Sequence, residues 1–193
     1  MLSMCFIYFT ATSANFGLLF FLPQIVRSQG FTITESGLIS SLPYVVSCAG
    51  MVVIGNLSDR FKKRKFFVVL SMVFVDAGLL LAGWLGESPL SIGAICVSVV
   101  GIMGMAGPFW ALPASRLRGI ALAVGIPLVS SVGNLGGFTG PYIVGWAQRA
   151  TGHFAGSLII LAGLATLGVV VALVGIPADP LDEESALAKM SFD

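Results

Sequence analysis

Polar residues punctuate this chain at wide intervals, and between them run six stretches of almost unbroken apolar sequence. The first extends from about Leu2 to Val26, the second from Glu35 to Asn56 and the third from Phe66 to Gly86. The fourth covers about Leu90 to Leu112, the fifth about Gly119 to Trp146 and the sixth about Phe154 to Ile176. Each is close to the roughly 20 residues that cross about 30 Å of hydrocarbon as an α-helix. Lipid offers no partner to an open backbone N–H or C=O, so apolar runs of this length must be helical. The pattern predicts an all-α membrane protein with six transmembrane helices over residues 1–176, followed by an acidic, solvated tail over 177–193.

Composition agrees. Of the 193 residues, 56% are hydrophobic and 10% charged, and the mean hydropathy is +0.98. A soluble domain carries about 25% charged residues, so the chain falls in the membrane class. The first run has no basic region before it and no small-residue cleavage site after it, so it reads as a span and not as a cleaved signal. Met1 opens almost directly into that span, and the true start is expected upstream. Cys5, Cys48 and Cys96 all lie inside apolar runs without metal-ligand spacing, and they read as small packing residues.

Charge sets the orientation. Five of the ten Lys and Arg residues fall in the stretch Gly55 to Lys65, between the second and third runs. Such a cluster marks a cytoplasmic loop, because Lys and Arg are retained on that side during insertion. Arg60, Lys62, Lys63, Arg64, Lys65, Arg116, Arg118 and Lys189 then lie inside, and only Arg27 and Arg149 lie outside. Both termini are expected in the cytoplasm, the protein in the inner membrane as a multi-pass protein, and Trp84 and Trp146 near the outer interface. The basic residues sit in one loop with no stacking motif around them, so the net charge of +1 does not point to nucleic acid.

The same stretch carries a family resemblance. Gly55-x-Leu57-Ser58-Asp59-Arg60-x-x-x-Arg64-Lys65 resembles the loop signature of the major facilitator superfamily, Gly-x-Leu-x-Asp-Arg-x-Gly-Arg-Arg, which joins the second and third helices of each six-helix half. The resemblance implies a conformational switch at Gly55, Asp59, Arg60 and Arg64. An acidic side chain near a helix end pairs with helix dipoles and Arg groups of a neighbouring bundle in one conformation and releases them in another. Lys62 stands where the family usually has a turn glycine, which bears on how tight the loop is and not on which side it lies.

A second resemblance lies further along. Gly107-Pro108-Phe109-Trp110-Ala111-Leu112-Pro113 and the stretch Ser130 to Tyr142 are similar to the anion:cation symporter branch of that superfamily, with its Trp-x-x-Pro element and its Asn-x-Gly-Gly-x-x-Gly-Pro helix. In spacing the likeness covers the whole chain, but only the second half of the family's roughly twelve-helix fold. It implies alternating access, protons as the coupling ion, and small organic anions such as sugar acids, dicarboxylates or aromatic acids as substrates. That branch usually has an acidic residue where this chain has Arg149. Gly145 to Gly152 also echoes the helix-end pattern that starts at Gly55, three spans apart and on the opposite face, which suggests a 3+3 inverted repeat.

Few residues can carry chemistry. Asn134 interrupts the fifth apolar run, where an amide is costly unless it finds a partner; it is read either as a ligand group or as a helix–helix hydrogen bond. Ser130, Ser131 and Thr139 are weaker candidates, since Ser and Thr also bond back to their own helix. Asn15 and Gln24 on the first span and Trp110 on the fourth are candidates to line a cavity, with an interface anchor as the alternative for Trp110. Gly133, Gly136, Gly137 and Gly140 form two interleaved Gly-x-x-x-Gly pairs, read first as close packing and second as points of flexing with Pro127 and Pro141.

Asp76 is the one acid in the middle of a span, and a structural role is preferred over proton coupling. His153 has no Cys, Asp or Glu cluster nearby. With no Ser-His-Asp set, phosphate loop or intramembrane carboxylate pair, no enzyme, metal or cofactor is expected. No Lys or Arg lies within a span, so an organic anion needs its positive partner from elsewhere. A complementary N-terminal half is the expected source. A homodimeric six-span carrier and a non-transporting scaffold are the alternatives.

Overall fold

The computed structural model describes residues 1–177. They form seven helices: α1 (Leu2–Ser28), α2 (Ile33–Phe61), α3 (Arg64–Leu85), α4 (Leu90–Arg116), α5 (Ile120–Asn134), α6 (Gly136–Thr151) and α7 (Phe154–Gly175). No strand occurs among the described residues. Six segments are long and apolar enough to cross a membrane, with α5 and α6 together making the fifth over Ile120–Thr151. The six-span, all-α expectation holds. Of the tail expected over 177–193, only Pro177 falls within the described residues.

Several element ends differ from the sequence expectation, each for a local reason. The second span starts at Ile33, ahead of Glu35, because Thr32 and Glu35 form a capping box. The Thr32 backbone N–H donates to Glu35 Oε2 at 2.9 Å, and the Glu35 N–H donates to Thr32 Oγ1 at 3.3 Å. At its far end α2 continues to Phe61, so Ser58, Asp59 and Arg60 belong to its last turn and only Lys62 and Lys63 link it to α3. The loop is therefore tight despite lacking glycine. Lys62 makes the reversal itself at φ 55° and ψ 19°, and it is the one non-glycine with positive φ among the described residues.

The fifth span is not one continuous α-helix. At Leu135 the ladder tightens to three-residue spacing, with Leu135 N–H donating to the Val132 carbonyl (3.2 Å) and Phe138 N–H to the Leu135 carbonyl (3.1 Å). The path stays helical in direction, since Leu135 keeps φ −59° and ψ −24°.

The packing is crossed. α2 leans chiefly on α4, while α5 and α6 lean on α1; α3 and α7 pack on each other, and each also packs on the first helix of the opposite unit. The second helix of each three-helix unit thus rests on the first helix of the other, as an inverted repeat requires. Two buried clusters fill the interior. One lies toward the C-terminal half of α1, around Leu18, Leu22, Leu79, Ile95 and Leu158, and the other toward its N-terminal half, around Ile7, Val68, Met72 and Phe109.

Glycines set the closest crossings. A Cβ at Gly140 would strike the Ser13 carbonyl of α1, and one at Gly136 the Phe9 carbonyl. Between α2 and α4, a Cβ at Gly104 would meet Ile54, and one at Gly107 would sit 3.8 Å from the Gly55 Cα. Lipid tails are as apolar as the helices, so close backbone approach supplies much of the association. α2 and the fifth span are the least covered, leaving Leu38, Leu42, Val45 and Val52 exposed on one and Val124, Leu128, Phe138 and Trp146 on the other.

Two stability outcomes follow from this geometry. Gly140→Ala forces α6 off α1 and is expected to destabilise the bundle by about 1–3 kcal/mol, read as a lowered melting temperature in detergent. Gly163→Ala, at a helical position with nothing within 4 Å, is the control and should leave the melting point unchanged or slightly raised. Lys62→Gly removes the left-handed penalty of about 1–2 kcal/mol and should raise the melting temperature; an unchanged value would mean that the loop is held by something other than its backbone geometry.

Candidate functional site

Tyr8, Thr12 and Asn15 recur at helical spacing on α1 and so share one face. That face borders a cleft of about 280 Å³ walled by α1 and α4, with Asn134 of α5 at its edge. Phe109 and Trp110 of α4 line the same cleft. Trp110 thus lines this cleft, as the cavity reading expects. The rings form a connected set: Tyr8 stacks on Phe109 at a centroid distance of 5.5 Å and 18°, and meets Trp110 edge-on at 5.1 Å and 67°. Phe109 and Trp110 are themselves edge-to-face at 5.1 Å and 82°. Such offset and T-shaped pairs are the favoured aromatic geometries, so the rings hold one another in place. Gly133 lets the helix carrying Asn134 come against the Tyr8 ring, where any Cβ would collide.

Asn134 closes α5, and its Nδ2 donates to Ser130 Oγ one turn back at 3.2 Å. Its side chain is exposed, and its Oδ1 has no protein partner among the described hydrogen bonds. Asn15 is half-buried and lines the same cleft. Each carboxamide offers two donors and an acceptor. The arrangement can therefore hold a hydroxylated or carboxylated carbon skeleton between aromatic walls and two amides. No Lys or Arg lines the cleft, and the described residues contain no His, Cys, Asp and Glu group able to hold a metal.

The sequence-predicted residues divide clearly. Asn15, Trp110 and Asn134, from three separate spans, come together in the cleft, with Ser130 bonded behind Asn134. Ser131 and Gln24 are exposed and do not line it. Thr139 Oγ1 donates to the Leu135 carbonyl of its own segment at 3.2 Å. Asp76 lies on the α3–α7 seam, where Thr166 Oγ1 sits 2.9 Å from its Oδ1. His153 faces Glu87 at 3.8 Å on the exposed end of the bundle. Tyr8, Thr12 and Phe109 were not anticipated; the spacing of Tyr8 and Thr12 with Asn15 was the signal that could have found the first two.

The loop residues connect to the same helix as the cleft. Arg64 Nη1 donates to the Ala111 carbonyl at 2.9 Å, one residue beyond Trp110. Gly55 of α2 lies in ordinary contact range of Gly107 on α4. Asp59 and Arg60 are exposed at the end of α2.

Comparison with known proteins gives a consistent family. The model described as Major Facilitator Superfamily matches residues 4–191. A protein of Agrobacterium vitis named for tartrate transport is 32% identical over 187 residues, covering 97% of this chain and 42% of that protein. A quinolone resistance transporter of Acinetobacter baumannii is 30% identical over 165 residues, 85% of this chain and 38% of the relative. The inner membrane transport protein RhmT of Escherichia coli (strain K12) is 32% identical over 170 residues, 86% of this chain and 39% of the relative. The chain spans about two fifths of the length of these relatives.

Proposed function

The chain belongs to the Major Facilitator Superfamily, and from that premise we propose that it forms one six-helix half of a proton-coupled carrier that takes up a small organic anion by alternating access. It is a multi-pass membrane protein and a transporter by family, not an enzyme. The observation that carries the finer reading is the cleft between α1, α4 and α5, which brings two carboxamides and a hydroxyl to an aromatic wall without any cation. An anion bound there needs a positive group from outside this chain. Two features favour a complementary N-terminal half as its source: the chain's share of its relatives' length and the missing cation.

An organic acid is favoured as substrate because the relative that covers 97% of this chain is named for tartrate transport. The proton-coupling carboxylate is assigned to the other half as well, since Asp76 sits on the α3–α7 seam and does not line the cleft. The distribution of Lys and Arg supports cytoplasmic termini and an inner-membrane location.

Topology is tested by single cysteines in a cysteine-free background. Lys63→Cys should react only with reagent on the cytoplasmic side and Ser88→Cys only from outside. Reaction of both from one side would end the orientation.

The binding reading is tested at Asn134. Asn134→Ala removes a donor and an acceptor from the cleft. A hydrogen bond to a charged ligand contributes about 1.5–3 kcal/mol, so organic-anion affinity of the assembled carrier should fall about 10- to 150-fold. A scaffold amide behaves differently: the melting temperature would fall while affinity stayed the same.

A further inference from the structure

A second cleft, of about 270 Å³, opens toward the other end of the fifth span. Phe21 of α1 forms one wall, and Pro141, Tyr142, Gly145, Trp146 and Arg149 of α6 form the rest. Tyr142, Trp146 and Arg149 follow one another at steps of four and three residues, so one helix face presents two aromatic rings and a guanidinium. Phe138 extends that face by stacking on Tyr142 at 6.0 Å and 17°. These rings are not core residues: Tyr142 is 63% exposed and Trp146 58%.

Arg149 is exposed and has no carboxylate within ion-pair distance among the described residues. The two acids at this end of the bundle are otherwise engaged. Glu35 is held in the capping box of α2, and Glu87 faces His153. Interfacial anchoring accounts for a tryptophan or a tyrosine here, and a helix C-terminus favours a cation. Neither accounts for rings and an unpaired guanidinium converging on a single concave site from two helices.

We propose that this cleft is an entry subsite that binds the carboxylate of a small organic anion. Arg149 takes the carboxylate through its planar fork of N–H donors, and Phe21, Tyr142 and Trp146 flank the carbon skeleton. The volume lies just below the roughly 300 Å³ at which ligand pockets begin, which suits a small acid. Asn134 and Arg149 are fifteen residues apart along the span, about 22 Å by helix rise, so this is a different place from the amide-lined cleft. A cation at the mouth also raises the local concentration of anions ahead of a deeper site. The identity of the anion and the outward position of this end rest on the transport reading above.

The experiment uses Trp146 as its own reporter. Trp84→Phe and Trp110→Phe leave it the one tryptophan in the chain, which is reconstituted in phosphatidylcholine nanodiscs. Tartrate, galactarate and benzoate are titrated against sodium chloride of matched ionic strength. At least one acid should change Trp146 emission saturably. Arg149→Gln should weaken that binding about tenfold or more, while Arg27→Gln, which removes the other cation at this end, should leave it within about twofold. Circular dichroism and melting of each variant establish that it is folded.

The proposal is overturned if no acid in the panel alters Trp146 in the folded parent, or if Arg149→Gln titrates as the parent does. It is equally overturned if emission responds only when phosphatidylglycerol replaces phosphatidylcholine, which would make the occupant a lipid headgroup. Because the readout is binding at Trp146 and not transport, failure here is separate from failure of the carrier reading at Asn134.

Discussion

Helices in hydrocarbon gain little from burying apolar side chains against each other, so what fixes this bundle is how closely its backbones approach. The glycine crossings supply that approach. Gly136 and Gly140 press α6 onto α1, Gly50 and Gly104 bring α2 and α4 together, and Gly78 and Gly101 lock α3 to α4. Gly168 does the same for α7 against Thr10 of α1. The cleft depends on these crossings, because Gly133 brings α5 against Tyr8, and Tyr8 in turn orders Phe109 and Trp110. The cleft is thus built by side chains that the sequence supplies and by a spacing that the absence of side chains permits.

Much of the fold could be read from the chain alone, because six apolar runs of bilayer length admit one kind of structure. Their ends could not be read from hydropathy. Thr32 looks like loop sequence, yet its capping box with Glu35 starts α2 two residues ahead of that glutamate. Asp59 and Arg60 look like loop residues as well, yet the helix continues through them, since nothing before Lys62 reverses the chain. The break at Leu135 exchanges one hydrogen-bond spacing for another, and only Asn134 and the flanking glycines, read first as close packing, marked it in the sequence.

The candidate site was legible in its parts and not in its assembly. Asn15, Trp110 and Asn134 each stand out against apolar surroundings, but they lie on three spans that only the crossed packing brings together. Ser130 and Ser131 show the limit from the other direction. One residue is about 100° of helix rotation by the 3.6-residue turn, and it separates a hydroxyl bonded behind Asn134 from one that does not line the cleft. Tyr8 was hidden by its aromatic character, which in a span reads as packing, and only its spacing with Thr12 and Asn15 sets it apart.

α4 runs from the cleft to the loop signature. Its segment 108–113 carries Phe109 and Trp110 into the cleft, and it is bracketed by Pro108 and Pro113, neither of which can donate to the preceding turn. The Gly104 and Phe109 carbonyls therefore lose their usual helical partners, and the backbone there is less constrained than in the rest of the helix. Arg64 holds this segment from the loop side through the Ala111 carbonyl, while Gly107 lies against Gly55 of α2. The Gly55–Arg64 region therefore meets α4 at the proline-bracketed stretch whose Phe109 and Trp110 pack on Tyr8. Arg64 thus ties the loop signature to the same helix that carries the aromatic wall of the cleft.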